Sequence, residues 1–196
     1  MLMVCGLSIL FLFQLGSLAR KVDLVDKPDS RKQHKLAVPV IGGLAIFVSI
    51  ALSFLLFPFG LGEFRILIFC MGILVIVGVL DDYSEITPKS KIIIQLLVAV
   101  ILVSADHLVV SNIGDIFAWN DGNKLGLAMY SYPLTVIAIV GSINAFNMID
   151  GHDGVAGSMF LLTLGSLLIL CQVEQFWKLQ YFLSVFFLAT TIFLYF

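Results

Sequence analysis

Seven long apolar stretches, separated by short polar segments, dominate the hydrophobic pattern of the chain. A run of about 20 apolar residues spans the bilayer core of about 30 Å, so each stretch is a candidate transmembrane helix. The fourth is the least regular, because Ser104, Asp106 and His107 interrupt it. The stretches are Met1–Ala19, Pro39–Phe59, Ile66–Leu80, Ile92–Leu108, Tyr132–Asn147, Val155–Leu170 and Tyr181–Phe196. The pattern predicts an all-α, polytopic transmembrane helix bundle of about seven spans, forming one domain over residues 1–196.

The composition supports a lipid environment. The chain is 60% hydrophobic and 12% charged, whereas soluble domains are about 45–50% apolar and about 25% charged. Its net charge of −2 provides no basic stripe, which argues against a nucleic-acid partner. The segment Met1–Ala19 is interpreted as a first span and not as a signal peptide, because Arg20 and Lys21 follow the apolar run instead of preceding it.

The cations predict an orientation for these spans. Eight of the 11 Lys and Arg residues fall in loops at about residues 20–38 and 81–91, which lie on the same side as a third loop at about 148–154. The positive-inside rule places these three loops in the cytoplasm. The N-terminus then lies outside.

Two adjacent carboxylates, Asp81 and Asp82, follow the third apolar stretch directly. Like charges so close repel each other by roughly 1 kcal/mol in water and by about 4 kcal/mol at an effective dielectric constant of 20. A solvated helix end is one interpretation of this pair. A divalent cation is the other, because magnesium binds one or two carboxylates together with substrate phosphates.

A second polar cluster follows the fifth stretch and has a period of three. On a helix this period places side chains on one slowly drifting stripe, and lipid would reject such a stripe unless it lined a cavity. Gly151 and Gly154 allow close approach of a ligand, while His152 lies between two acids and is a weaker candidate as a metal ligand. A helix cap with a turn is the alternative, although a cap needs only one such residue. The members of the stripe are Asn144, Asn147, Asp150 and Asp153.

A third cluster, in the first long loop, is basic. Arg31, Lys32 and His34 are candidate phosphate contacts, although ordinary positive-inside charge explains any single lysine here better. Gly42 and Gly43 follow at a predicted helix start. They suit either a phosphate cradle or close helix packing.

The three clusters occur together and in one order, and this combination resembles the polyprenyl-phosphate sugar-1-phosphate transferase family. Within the family, the motifs are most similar to the bacterial branch that uses UDP-N-acetylglucosamine and undecaprenyl phosphate. The branch that uses a muramoyl-pentapeptide nucleotide matches less well. The matching pieces are Asp26-x-Pro28-x-x-Arg31-Lys32-x-His34, Pro39-x-x-Gly42-Gly43, Asp81-Asp82, Gln95, and Asn144-x-x-Asn147-x-x-Asp150-Gly151-x-Asp153-Gly154.

The resemblance implies a reaction, its cofactor and its site. It implies transfer of N-acetylglucosamine-1-phosphate from UDP-N-acetylglucosamine to undecaprenyl phosphate with release of UMP. This is the first membrane step of lipid-linked polysaccharide synthesis, such as that of lipopolysaccharide, at the cytoplasmic face of a bacterial inner membrane. It requires Mg²⁺ or Mn²⁺. The implied catalytic residues are Asp81, Asp82, Asp150 and Asp153, the metal ligands Asp81, Asp82 and Asp150, and the substrate-binding residues Asn144, Asn147, Gly151, His152, Arg31, Lys32 and His34.

The sequence departs from the family in two ways. His152 stands where the family usually has an apolar residue, and the chain lacks the family's later Gly-Asp-x-Gly-Ser and His-x-His-His loops. The resemblance therefore predicts a chain that is truncated relative to the family, either inactive alone or half of a split transferase. An ion-coupled transporter is the alternative class, because intramembrane carboxylates also mark carriers. Whether the chain forms a homo-oligomer stays open.

Overall fold

The computed structural model describes residues 6–14, 25–26, 38–39, 42–56, 63–84, 86–105, 108–114, 125–149 and 154–195. Helix α1 covers residues 6–14 in the described part. The other helices are α2 (Gly42–Leu56), α3 (Arg65–Ser84), α4 (Pro88–Ala105), α5 (Ser131–Ile149), α6 (Val155–Val173) and α7 (Trp177–Tyr195). A 3₁₀ turn, Ala128–Tyr130, precedes α5. Two short strands, β1 (Val25–Asp26) and β2 (Val38–Pro39), pair antiparallel.

The predicted all-α, multi-pass bundle is confirmed, since each of the seven apolar stretches contains a helix. Among the described residues, five helices are long and apolar enough to cross a membrane, namely α3 to α7, and α2 is a shorter apolar helix. Helix α4 begins before the irregular fourth stretch and covers it as far as Ala105, including Ser104. The orientation with the N-terminus outside stays a prediction.

The junction between α3 and α4 is shorter than the predicted loop at residues 81–91. Helix α3 continues past Leu80 to Ser84, and α4 begins at Pro88, where a proline sacrifices no helical hydrogen bond. The hydroxyl of Thr87 caps α4 by accepting a hydrogen bond from the backbone N–H of Ser90, over 3.3 Å. Hydropathy placed the end of the span at the first charge, whereas the helix itself tolerates carboxylates in its last turn.

Helices α2 to α7 form a closed ring in chain order. Each packs against the next one along the chain, and α7 packs back against α2. The main core lies where α2, α6 and α7 meet, around Ile50, Leu164 and Val185, with a second cluster of Cys70, Val98 and Leu102 between α3 and α4. The ring gives each helix two neighbours, so a polar group at one helix end can reach two others.

A series of aromatic rings runs through the main core. Phe64 stacks on Phe182 with ring centroids 4.6 Å apart, and Phe182 lies 5.0 Å from Phe186. The series continues from Phe186 to Phe160 and from Phe160 to Phe146, with 6.3 Å between centroids at each step. It therefore links the start of α3 to the last turns of α5, where the polar stripe begins.

The two glycines at the start of α2 lie in different surroundings. A Cβ on Gly42 would lie 2.3 Å from Cε2 of Phe193 on α7, whereas a Cβ on Gly43 would meet no atom within 4 Å. This geometry favours helix packing over a phosphate cradle as the role of Gly42.

We expect Gly42→Ala to lower stability by about 1–3 kcal/mol, because the added methyl forces the Phe193 ring aside. Gly43→Ala is the matched control and is expected to be neutral or stabilising by up to about 1 kcal/mol, since alanine favours helix over glycine. Thermal unfolding of both variants in detergent measures the difference. Equal melting temperatures would contradict the packing role of Gly42.

Candidate active site

The Asp81 carboxylate holds the junction between α3 and α4. Its Oδ1 accepts a hydrogen bond from the backbone N–H of Ile86 over 2.9 Å, and its Oδ2 pairs with Nζ of Lys91 over 2.5 Å. The side chains of Asp81 and Lys91 are 29% and 33% exposed, so water still reaches both. Asp81 thus has a structural task in addition to any part in chemistry.

Asp82, the next residue of α3, is exposed. Neighbouring residues on a helix differ by about 100° in direction, so the two carboxylates leave α3 at different angles. The described residues contain no group of three or more His, Cys, Asp and Glu side chains that would hold a metal ion. The carboxylate oxygens of Asp81 and Asp82 are the hard donors that magnesium prefers, in the number that it takes alongside substrate phosphates. The predicted metal site at Asp81, Asp82 and Asp150 stays a prediction, because Asp150 lies outside the described residues.

A second polar contact joins α4 to α5. The side-chain amide nitrogen of Asn144 donates to Oε1 of Gln95 over 2.6 Å and to the backbone carbonyl of Val140 over 2.8 Å. Gln95 lies four residues after Lys91, so both side chains project from one face of α4. Helix α4 therefore contacts Asp81 on α3 through Lys91 and Asn144 on α5 through Gln95.

The motif comparison contained Gln95, but neither Gln95 nor Lys91 was predicted as a site residue. Lys91 entered the sequence analysis only as a loop cation. The available signal was the spacing of two polar residues, four apart, at the start of a helix that is otherwise apolar. That spacing predicts two contacts from one helix face.

Asn147, one turn after Asn144, borders a groove of about 550 Å³ between α2, α5, α6 and α7. The two asparagines lie on one helix as predicted, but Asn144 turns to α4 and Asn147 turns to the groove. Most of the lining is apolar. Residues that line the groove include Ile46, Asn147, Gly157, Phe160, Thr190 and Phe193.

The remaining predicted site residues lie outside the described part of the chain. Gly154, the first described residue after α5, has a φ of 75°, a left-handed conformation that favours glycine. The predicted residues outside the description are Arg31, Lys32, His34, Asp150, Gly151, His152 and Asp153.

The model of one protein family, glycosyl transferase family 4, matches residues 64–196. The chain belongs to glycosyl transferase family 4. The matched range of this family 4 chain includes Asp81, Lys91, Gln95, Asn144 and Asn147, so the two polar contacts lie within the family's own region. The resemblance drawn from the motifs is confirmed.

Curated relatives of this family 4 chain agree with one another in name. It is 35% identical over 164 residues to the undecaprenyl-phosphate alpha-N-acetylglucosaminyl 1-phosphate transferase of Yersinia pestis, covering 83% of this chain and 44% of the relative. The relative of the same name in Escherichia coli K12 is 35% identical over 81% of this chain and 42% of the relative. A probable undecaprenyl-phosphate N-acetylglucosaminyl 1-phosphate transferase of Bacillus subtilis is 35% identical over 78% of this chain and 42% of the relative.

The family 4 chain thus spans less than half the length of these relatives. No solved structure matches it.

Proposed function

We propose that this chain takes part in the transfer of N-acetylglucosamine-1-phosphate from UDP-N-acetylglucosamine to undecaprenyl phosphate, with release of UMP. The transfer takes place at the cytoplasmic face of a bacterial inner membrane. The observation that carries the proposal is the meeting of three helix ends, where the Asp81–Lys91 pair and the Asn144–Gln95 pair lie one helical turn apart on α4. The names of the relatives support the substrates.

The chemistry joins two anions, so charge and position decide its rate. A phosphate oxygen of undecaprenyl phosphate attacks the phosphorus that carries the sugar, and the bridging oxygen leaves with UMP. A bound Mg²⁺ would neutralise the developing charge, and Asp82 with Asp81 and Asp150 would hold it. Lys91 already faces Asp81 over 2.5 Å and supplies a further positive charge at the same place. The phosphate acceptor is already largely ionised near neutral pH, so it needs no strong base.

The chain's shorter length defines two forms of the proposal. Either the chain carries a complete site, or it contributes one part of a site that a second part completes. In both forms, the Asp81, Lys91, Gln95 and Asn144 cluster belongs to the site. A carrier is less favoured, because both of these pairs gather at one end of α3, α4 and α5, whereas a carrier needs polar groups along a path to both sides.

We expect membranes that contain the chain, UDP-N-acetyl[14C]glucosamine, undecaprenyl phosphate and Mg²⁺ to form radiolabelled lipid, and EDTA to abolish the label. The E. coli K12 relative serves as positive control. A second sample supplies the part of that relative that the chain does not cover. Label in both samples means a complete site, and label only in the second means a shared site. No label in either, with correct membrane insertion of both, overturns the proposed function.

A further inference from the structure

We propose that Gln95 is a positioning residue for this transfer. Its side-chain carbonyl fixes the Asn144 amide, so that Asn144 keeps one orientation in the cluster. The inference rests on the proposed function and deepens it, because it explains how the cluster is held without Gln95 touching the reacting atoms.

The orientation of both amides follows from the chemistry of their partners. The backbone carbonyl of Val140 can only accept a hydrogen bond, so the Asn144 atom that lies 2.8 Å from it must be the nitrogen Nδ2. The same nitrogen lies 2.6 Å from Gln95, so the Gln95 atom there must be the oxygen Oε1. No flipped assignment of either side chain satisfies both contacts.

These two contacts use both hydrogens of Asn144 Nδ2. Its carbonyl oxygen Oδ1 therefore lies on the other side of the amide and has no hydrogen-bond partner within the described part of the chain. Asn144 thus presents a fixed acceptor, a group that takes a donor or a cation. Without Gln95, the amide could rotate and present its donor side instead.

The membrane setting makes this contact more specific than it would be in water. Lipid offers no competing hydrogen bonds, so a polar side chain in a span turns to a neighbouring helix. Such interhelical hydrogen bonds contribute little to the stability of membrane proteins. This stabilisation is modest, while a misplacement of about 1 Å in a site can cost about 100-fold in rate. The contact is therefore expected to affect turnover more than stability.

The test compares steady-state kinetics of Gln95 variants, in whichever sample gives transfer in the assay above. Gln95→Leu removes the acceptor and is expected to lower kcat by about 10- to 100-fold while KM for UDP-N-acetylglucosamine changes less than about threefold. Gln95→Glu keeps an oxygen at the position of Oε1 and is expected to restore most of kcat. Gln95→Asn is too short to reach Asn144, so it repeats the loss if the leucine variant does not fold.

Two controls separate positioning from stability. Gln180→Leu alters a partly buried glutamine of α7 and is expected to leave kcat unchanged. Ile50→Val removes one methyl group from the main core and is expected to lower the melting temperature, while kcat per folded molecule stays unchanged.

The outcomes distinguish this inference from the proposed function. Transfer that survives both Gln95→Leu and Gln95→Asn, or that Gln95→Glu fails to rescue, overturns the positioning role alone. A loss of kcat with Ile50→Val equal to that with Gln95→Leu also overturns it, since stability would then explain both. No transfer by the unmodified chain in either sample overturns the proposed function, and the inference with it.

Discussion

Asp82→Asn is expected to lower transfer by about 100- to 1,000-fold with a smaller loss of stability than Asp81→Asn, which is expected to lower both, because interactions of an exposed carboxylate such as Asp82 contribute little. Removal of one group that stabilises transition-state charge costs about that much in rate. Asp81 in addition accepts hydrogen bonds from the Ile86 N–H and from Lys91, so its charge stabilises the α3–α4 junction. Hydrogen bonds to charged groups contribute about 1.5–3 kcal/mol, and the partial exposure of this pair lowers the expected loss to about 1 kcal/mol.

The measurement is the radiolabelled-lipid assay on both variants, with thermal unfolding of the same samples. Glu63→Gln is the matched control, because Glu63 also pairs with a lysine, Lys178. This pair lies at the starts of α3 and α7, whereas Asp81 lies near the end of α3. It removes a carboxylate and an ion pair and is expected to leave transfer unchanged. Full transfer by Asp82→Asn would remove Asp82 from the proposed site. Equal stability of the two aspartate variants would contradict the structural task of Asp81.

Phe182→Ala is expected to give the largest loss of stability, about 2–4 kcal/mol. The ring is 5% exposed and contacts Phe64, Phe54 and Phe186, with centroid distances of 4.6, 5.2 and 5.0 Å. Truncation of a buried Phe costs about 3–5 kcal/mol in soluble cores. The expected value is slightly lower here, because lipid tails are as apolar as the core and the loss is mainly of packing.

Phe69→Ala provides the comparison. Phe69 lies on α3 and is 61% exposed, so its truncation removes an apolar side chain of the same size without leaving a cavity. Its expected change in melting temperature is close to zero. If the two alanine variants have the same melting temperature, the aromatic series does not hold α7 in the ring.

The sequence was sufficient to predict the helices and insufficient to predict their ends and contacts. Apolar length alone identifies a span, because a bilayer demands about 20 apolar residues whatever the fold. The end of α3 escaped this criterion, because Asp81 and Asp82 are charged and yet helical. A carboxylate that caps a neighbouring turn looks the same in sequence as one that faces water.

In the candidate site, too, the sequence predicted some residues and not the partners that they contact. Asn144 and Asp81 were predicted because they are polar residues in or directly after apolar stretches, where lipid disfavours polar side chains. Their partners Gln95 and Lys91 were not, because a contact between residues 49 or 10 positions apart depends on which helix faces compose the ring. Hydropathy has no information about the rotation of one helix against another.

The closed ring of helices also sets an order of assembly during synthesis. Helices α3 to α7 each meet their preceding neighbour as soon as they emerge, whereas α2 waits for its second partner until α7, which begins at Trp177, is complete. Until that moment, lipid or another protein takes the place of α7 beside Ile50 and Phe54. Closure of the ring is thus a late and nonlocal step, and an insertion factor that shields α2 would act between the synthesis of Leu56 and that of Tyr195.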